Sequence, residues 1–234
     1  NRRDLTSIPV PTANLLWRDL HVRSGSSVGG TTRTSNILID IIVDGVTRDR
    51  KWSCGFEFDY ANEESFYCRP LRLAPNEPKQ RMPVPDEATE VNIAYLPPMS
   101  GLAAVEPKWE QGRINVLLGE GQTAQVLRNL CYHIHNSTDP QKGYWSKLEN
   151  NIKELFGVEI IPPRFIAERG EITMEYRDQH SPKFDLSASG RGLQQTLLLL
   201  AHLYANPGSV LLLDEPDAHL EVLRQRQIYN LLID

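Results

Sequence analysis

Val210-Leu-Leu-Leu-Asp-Glu-Pro216 is the stretch on which the reading of the whole chain turns. Four apolar residues in a row suit a strand buried on both faces of a mainly parallel sheet. Pro216 cannot extend the ladder and ends it. Two carboxylates stand where the strand stops, which is where open α/β sheets place their ligands. Asp214 is spaced to hold a hydrated Mg²⁺, an ion that keeps its waters and takes one or two protein carboxylates. Side chains alternate along a strand, so Glu215 is expected to point the other way. There it can orient, or take a proton from, a water attacking a phosphoryl group. Acidic residues after a strand also cap helices, and Asp217 is placed for that role.

About twenty residues upstream lies Leu186-Ser-Ala-Ser-Gly-Arg-Gly-Leu-Gln-Gln195, which runs into the apolar segment Thr196-Leu-Leu-Leu-Leu-Ala-His-Leu203. A Ser/Gly turn that opens a helix leaves backbone N–H groups unpaired, with the helix dipole behind them. Such an end attracts phosphate. Ser189 adds a hydroxyl, while Gly190 and Gly192 let an anion approach the main chain. A Ser-Gly helix start is common in any protein; its place shortly before the acidic strand gives it weight.

Ser189-Gly190 with Gln194-Gln195, followed by Leu-Leu-Leu-Asp-Glu-Pro-Asp-Ala-His-Leu220, resembles the signature motif, Walker B strand and D-loop of ABC-type ATPases. The likeness is nearest to the RecF, Rad50, SMC and OLD branch, and within it to OLD-type ATPases, whose head is typically followed by a Toprim nuclease domain. It is close over residues 185–234 and extends to the rest only in layout. It implies an α/β fold, an ABC-type P-loop ATPase head of the wider AAA group. That head has a mixed sheet, an antiparallel β subdomain and a helical insertion. The resemblance assigns ATP and Mg²⁺ as cofactors, with Asp214 assisting the metal and Glu215 as general base. Ser189 and Gly190 would contact the γ-phosphate of ATP held by the other protomer, with Gly192 and Gln194 beside them. Asp217, Ala218 and His219 would form the D-loop across a self-dimer interface. Arg191 stands where ABC transporters usually have Gly, which makes transport the least fitting of the family's roles. The Mg-sensing Gln could be Gln111 or Gln122. The function implied is ATP-driven closure that gates a DNA-directed activity in phage defence or repair, carried out by a Toprim nuclease domain or a separate effector. A scaffold or nucleotide switch without turnover is the alternative.

The sequence Gly-x-x-x-x-Gly-Lys-Ser/Thr occurs nowhere in the 234 residues, and the nearest candidate, Gly25 to Thr32, has no Lys to reach the β- and γ-phosphates. The resemblance places that Walker A motif before this region and a switch His after it. The chain opens on Asn1 and closes at Asp234 within the apolar-periodic Val222, Leu223, Ile228, Leu231 and Leu232. Both ends are therefore read as cut from a longer protein, with the Walker A part outside the chain.

Three regions are expected. Residues 1–90 form a β-rich part of the head: an irregular lead-in to residue 14, a flexible loop over Ser24–Ser35, and a strand from Asn36 to Asp44 turning at Asp44-Gly45. A second strand over Lys51–Tyr60 would then bury Trp52, Cys54, Phe56, Phe58 and Tyr60 on one face. A Pro-rich connector follows. Residues 91–184 hold the insertion: a buried strand at Val91–Leu96, a loop to Gly121, helices over Gln122–Ile134 and Trp145–Phe156, and a strand at Ile172–Tyr176. Residues 185–234 carry the signature helix, the Walker B strand and the D-loop.

With 25 basic against 30 acidic residues, a formal net charge of -5 excludes a surface that is wholly a nucleic-acid glove. Arg48, Arg50 and Lys51, with Arg69, Arg72, Lys79 and Arg81, suit a DNA backbone and solvated hairpin ends equally well. His133, His135 and Asp139 read as helix-end residues rather than metal ligands. Gly119-Glu-Gly-Gln-Thr123 leads into a helix. Cys54, Cys68 and Cys131 lack metal-ligand spacing and read as reduced thiols of a cytoplasmic protein. No apolar run reaches the ~20 residues of a membrane helix.

Overall fold

The structure is a computed structural model describing residues 10–28, 31–74, 80–137, 143–178 and 182–233. It divides into two compact units, Asn1–Asn92 and Ile93–Asp234.

In the first unit, β1 (Arg23–Val28) and β2 (Thr31–Asn36) pair antiparallel. The Ser/Gly/Thr-rich stretch expected as a loop is thus a hairpin, since Ser and Thr adopt extended backbone readily once a partner strand takes their N–H and C=O groups. A second sheet of order β3-β4-β5 follows, from β3 (Leu38–Thr47), β4 (Arg50–Asn62) and β5 (Ser65–Pro70). Its first turn is Arg48-Asp49, both at positive φ (50° and 61°), and not Asp44-Gly45. Gly45 instead lies within β3 opposite Trp52, whose indole covers it where any Cβ would collide. The Trp52 Nε1–H donates to Thr47 Oγ1 at 2.9 Å, closing the hairpin end.

The face expected to be buried is so only in part: Cys54 is buried, while Trp52, Phe56, Phe58 and Tyr60 are half-buried. Trp17 closes over it, edge-on to Tyr60 and Phe66. On the other face Glu57 is buried between Arg72 and Arg81. Burial alone would raise this carboxyl; the two guanidinium donors outweigh it and hold the pKa below the usual carboxylate range. A single turn, α1 (Asp86–Thr89), ends the unit.

The second unit begins with β6 (Ile93–Leu96) and continues with α2 (Gln111–Gly119), α3 (Leu127–His135) and α4 (Tyr144–Phe156). Sequence reading had placed a loop where α2 stands. Gly112, Asn115 and Gly119 weaken its helical pattern, yet Ile114, Leu117 and Leu118 recur at helical spacing and are all buried. Gly119–Thr123 accordingly leaves one helix before leading to the next, with Gly121 at φ 74°. Five short strands follow: β7 (Val158–Ile160), β8 (Arg164–Ile166), β9 (Glu171–Thr173), β10 (Glu175–Asp178) and β11 (Phe184–Asp185). The strand expected over Ile172–Tyr176 is split, because β9 pairs with β8 whereas β10 lies between β11 and β7.

Last come α5 (Arg191–Ala205), β12 (Val210–Leu213) and α6 (Val222–Ile233). α5 is buried from Leu193 through His202 and packs against α3 and α4. The core gathers Leu96, Leu127, Leu130, Leu148, Ile152, Leu186 and the leucines 197–200. β12 pairs with β6 in parallel, Leu212 opposite Tyr95 and Leu213 opposite Leu96. Both strands were expected to be buried throughout. Instead one face carries exposed Ile93, Tyr95, Val210 and Leu212, while Ala94 and Leu96 are buried on the other. Two paired strands have one face covered by helices, and period-2 alternation leaves the other open. Among the described residues no helix is long and apolar enough to cross a membrane. All three cysteines are free.

Candidate functional site

The start of α5 is built by a compact set of hydrogen bonds. Asp185 accepts from the Ser187 N–H at 2.8 Å and so caps the 3-10 turn Leu186–Ala188. Ser189 ends that turn, and its hydroxyl donates to the Leu186 carbonyl at 2.7 Å. The helix N-cap is therefore Gly190, not the serine. Gly190 has open space where a Cβ would stand, and the N–H groups of Arg191 and Gly192 that follow have no acceptor within the helix. Gln194 is buried and turns back, its Nε2 donating to Ser189 O at 3.0 Å and Leu186 O at 3.3 Å. It supports the turn from behind rather than facing outward. Arg191 is exposed at the first helical position.

At the acidic end, the Asp214 N–H donates to Leu96 O at 3.0 Å, which extends the β6–β12 pairing by one bond. Asp214 and Glu215 are both exposed. The strand stops at Leu213 and Glu215 takes φ 48°, so the alternation expected to set its direction does not reach it. A left-handed turn places it instead. Non-glycine residues enter that region at an energetic cost and cluster at functional sites. Tyr95 was missed in the sequence. Its hydroxyl bonds the Asp214 carboxylate, and burial followed by that neighbouring charge raises its pKa. The only sequence signal for it is alternation along β6, which puts Tyr95 on the open face.

Residues 214–220 form a turn before α6, with Ala218 N–H on Glu215 O and Leu220 N–H on Asp217 O. Asp217 lies inside this turn rather than at the helix start, which the Glu221 carbonyl opens. His219, at φ 64°, is exposed. Gly192 lies against it: a Cβ there would stand 3.4 Å from His219 O and 3.5 Å from Leu220 Cδ2. The start of α5 and the 214–220 turn thus pack on each other through a glycine.

A groove of about 350 Å³ joins the two, lined by Ser189, Gly190, Gly192 and His219 and walled by Phe156 and Tyr176. Arg224 of α6 lies 4.3 Å over the Phe156 ring at its rim. Nothing in the sequence marked Phe156, Tyr176 or Arg224. Asp214, Glu215 and Asp217 do not line this groove. The expected residues therefore fall into two groups: a groove between the start of α5 and the 214–220 turn, and an acidic strand end.

Other candidates disperse. Gln111 bonds Asn115 and Gln122 bonds Glu120. His133 faces the Trp109 carbonyl at 3.5 Å, His135 meets the Trp145 ring edge-on, and Asp139 lies outside the described residues. Among the described residues no three His, Cys, Asp or Glu side chains converge as a metal site. A hydrated Mg²⁺ needs no such cluster, and exposed Asp214 at a strand end suits one. The basic residues of the first unit are largely paired: Arg48 with Glu90 at 3.0 Å, Arg50 with Glu87 at 3.4 Å, and Arg72 and Arg81 with Glu57. Lys79 lies outside the described residues.

No curated protein matches the chain. Residues 127–234, a little under half of it, match the model of the family described as "AAA domain, putative AbiEii toxin, Type IV TA system". The matched stretch runs from α3 through α5, the acidic strand end and α6, and it supports a P-loop ATPase of the AAA type with an ATPase-type function.

Proposed function

We propose that the chain is part of an ATP-hydrolysing head of the ABC type whose sites are each shared between two protomers. The observation that carries this reading is the division of the site residues. Asp214 and Glu215 stand exposed at the end of β12, whereas Ser189, Gly190 and His219 line a separate groove. In a two-fold dimer the groove of one subunit completes the acidic site of the other. Asp214 would hold a hydrated Mg²⁺, which would supply charge neutralisation for the phosphates. Glu215 orients the attacking water and takes its proton. The free N–H groups at the start of α5 face the γ-phosphate of the partner's nucleotide. The reading also requires a Walker A cradle for the β- and γ-phosphates, a motif that the 234 residues do not contain. Closure then gates a DNA-directed activity of a Toprim nuclease domain or a separate effector, on the strength of the family resemblance.

One observation favours a switch without turnover: the Ser189 hydroxyl is bonded inward to Leu186 and must rotate to meet a phosphate. Hydrolysis assays on the full-length protein separate the two. Glu215→Gln is expected to lower turnover by about 10²–10⁴-fold while nucleotide binding persists, the usual worth of a general base. Unchanged turnover would contradict the hydrolase reading.

A further inference from the structure

Arg128 opens α3 and is 1% exposed, although it carries a full charge. Beneath it Glu106, fully buried, accepts the N–H groups of Arg128 and Asn129 at 2.9 and 2.6 Å and the Asn129 amide at 2.8 Å. Burial raises the Glu106 pKa, and the helix-start N–H groups, the Asn129 amide and the Arg128 charge oppose that rise without cancelling it. The guanidinium then reaches outward. Its Nη1 donates to the Ala103 carbonyl at 2.8 Å, and its Nη2 to Asp185 Oδ1 at 3.1 Å. That same Asp185 oxygen accepts the Ser187 N–H that shapes the turn ahead of Ser189. Burial by itself would raise the Asp185 carboxyl, and the Ser187 and Arg128 donors overcome it to hold the pKa low.

The two ends of this chain of contacts differ in freedom. Glu106 is sealed, whereas the Asp185 side chain is 46% exposed beside a cavity of about 270 Å³ that Arg169 and Glu171 also line. The inner link is therefore shielded from water and the outer one is within its reach.

We propose that Arg128 is a positioning residue that couples α3 to the signature turn. Anchored on Glu106, it holds Asp185, and Asp185 sets the direction in which Ser189 and the N–H groups after Gly190 meet the partner's nucleotide. This inference rests on the shared-site reading above. It places the link between helical insertion and hydrolysis in one guanidinium, since a rigid planar fork fixes the relative positions of Ala103 and Asp185 where a single flexible ammonium does not.

The test compares Arg128→Lys, Asp185→Ala, Asp185→Asn and the Arg128→Lys/Asp185→Ala double variant in the protein with its natural flanks. Turnover, KM for ATP and thermal midpoint are measured for each. Arg128→Lys and Asp185→Ala are each expected to lower kcat at least about tenfold, the worth of a charge-assisted hydrogen bond, with KM unchanged because each protomer's own phosphate cradle is untouched. The double variant is expected to be no slower than the worse single. Asp185→Asn, whose Oδ1 still accepts from both donors, is expected to recover most of the rate. Unchanged kcat in folded Asp185→Ala overturns the proposal. So do multiplicative losses in the double variant, and a lowered thermal midpoint with normal turnover of the folded fraction. If Glu215→Gln stops hydrolysis while these variants do not, this inference alone falls. If Glu215→Gln has no effect, the shared-site reading falls with it.

Discussion

Gly192 shows how little room the site leaves at a single residue. It is the first-turn glycine of α5, and the backbone of His219 passes where a side chain would grow. Gly192→Ala meets that carbonyl at the edge of van der Waals contact and gains helix propensity, so it is expected to be near neutral in a denaturant midpoint. Gly192→Val has to push the His219–Leu220 backbone away and is expected to destabilise by about 1–3 kcal/mol, the usual cost of overpacking. His202 makes a second prediction at this scale. It is buried on α5, and loss of hydration lowers its pKa to about 4 from an ordinary 6.5. Below pH 6.5 the unfolded chain therefore binds a proton that the folded one refuses. Stability is fully present above pH 6.5, falls as pH drops from 6.5 towards 4, and levels off beneath that. The loss approaches about 3 kcal/mol over this window. Urea titrations at stepped pH check it, and His202→Phe is expected to flatten the slope.

Elements were legible where the pattern was long and local. The period over Thr196–Leu203 and the acidic strand end led to α5 and β12, and Val126, Leu127, Leu130 and Cys131 to the buried face of α3. What stayed illegible was set by partners far along the chain. β6 and β12 are neighbours in space with more than a hundred residues between them, so their pairing could not be read from either strand. The Arg128–Asp185 pair spans 57 positions and carries no local signature. The hairpin turn was misplaced for a different reason: Asp44-Gly45 has the turn composition, but Trp52 needs the glycine beneath its ring. Arg48 and Asp49 consequently sit in left-handed backbone without a glycine. Primed two-residue turns favour Gly there, and left-handed backbone costs an ordinary residue roughly 1–2 kcal/mol. Asp49→Gly is thus expected to stabilise the β3–β4 hairpin's unit by up to about 1 kcal/mol, seen as a raised denaturant midpoint in Trp52 fluorescence. An unchanged or lower midpoint would mean that unfolded-state entropy cancels the relief.

At the scale of the whole molecule, the account's central claim is that each catalytic site takes residues from two protomers. Mixing two inactive variants tests this most directly. One carries Ser189→Arg, which blocks the signature groove, and the other Glu215→Gln, which removes the base. In a shared-site dimer the mixed pair has one site with both defects and one with neither. Equal mixtures are expected to regain roughly a quarter of wild-type hydrolysis, since half the random pairs are mixed and each holds one intact site of two. If each site is built within a single chain, every protomer in the mixture carries a defect, and hydrolysis remains at the level of the inactive parents. That result would contradict the account.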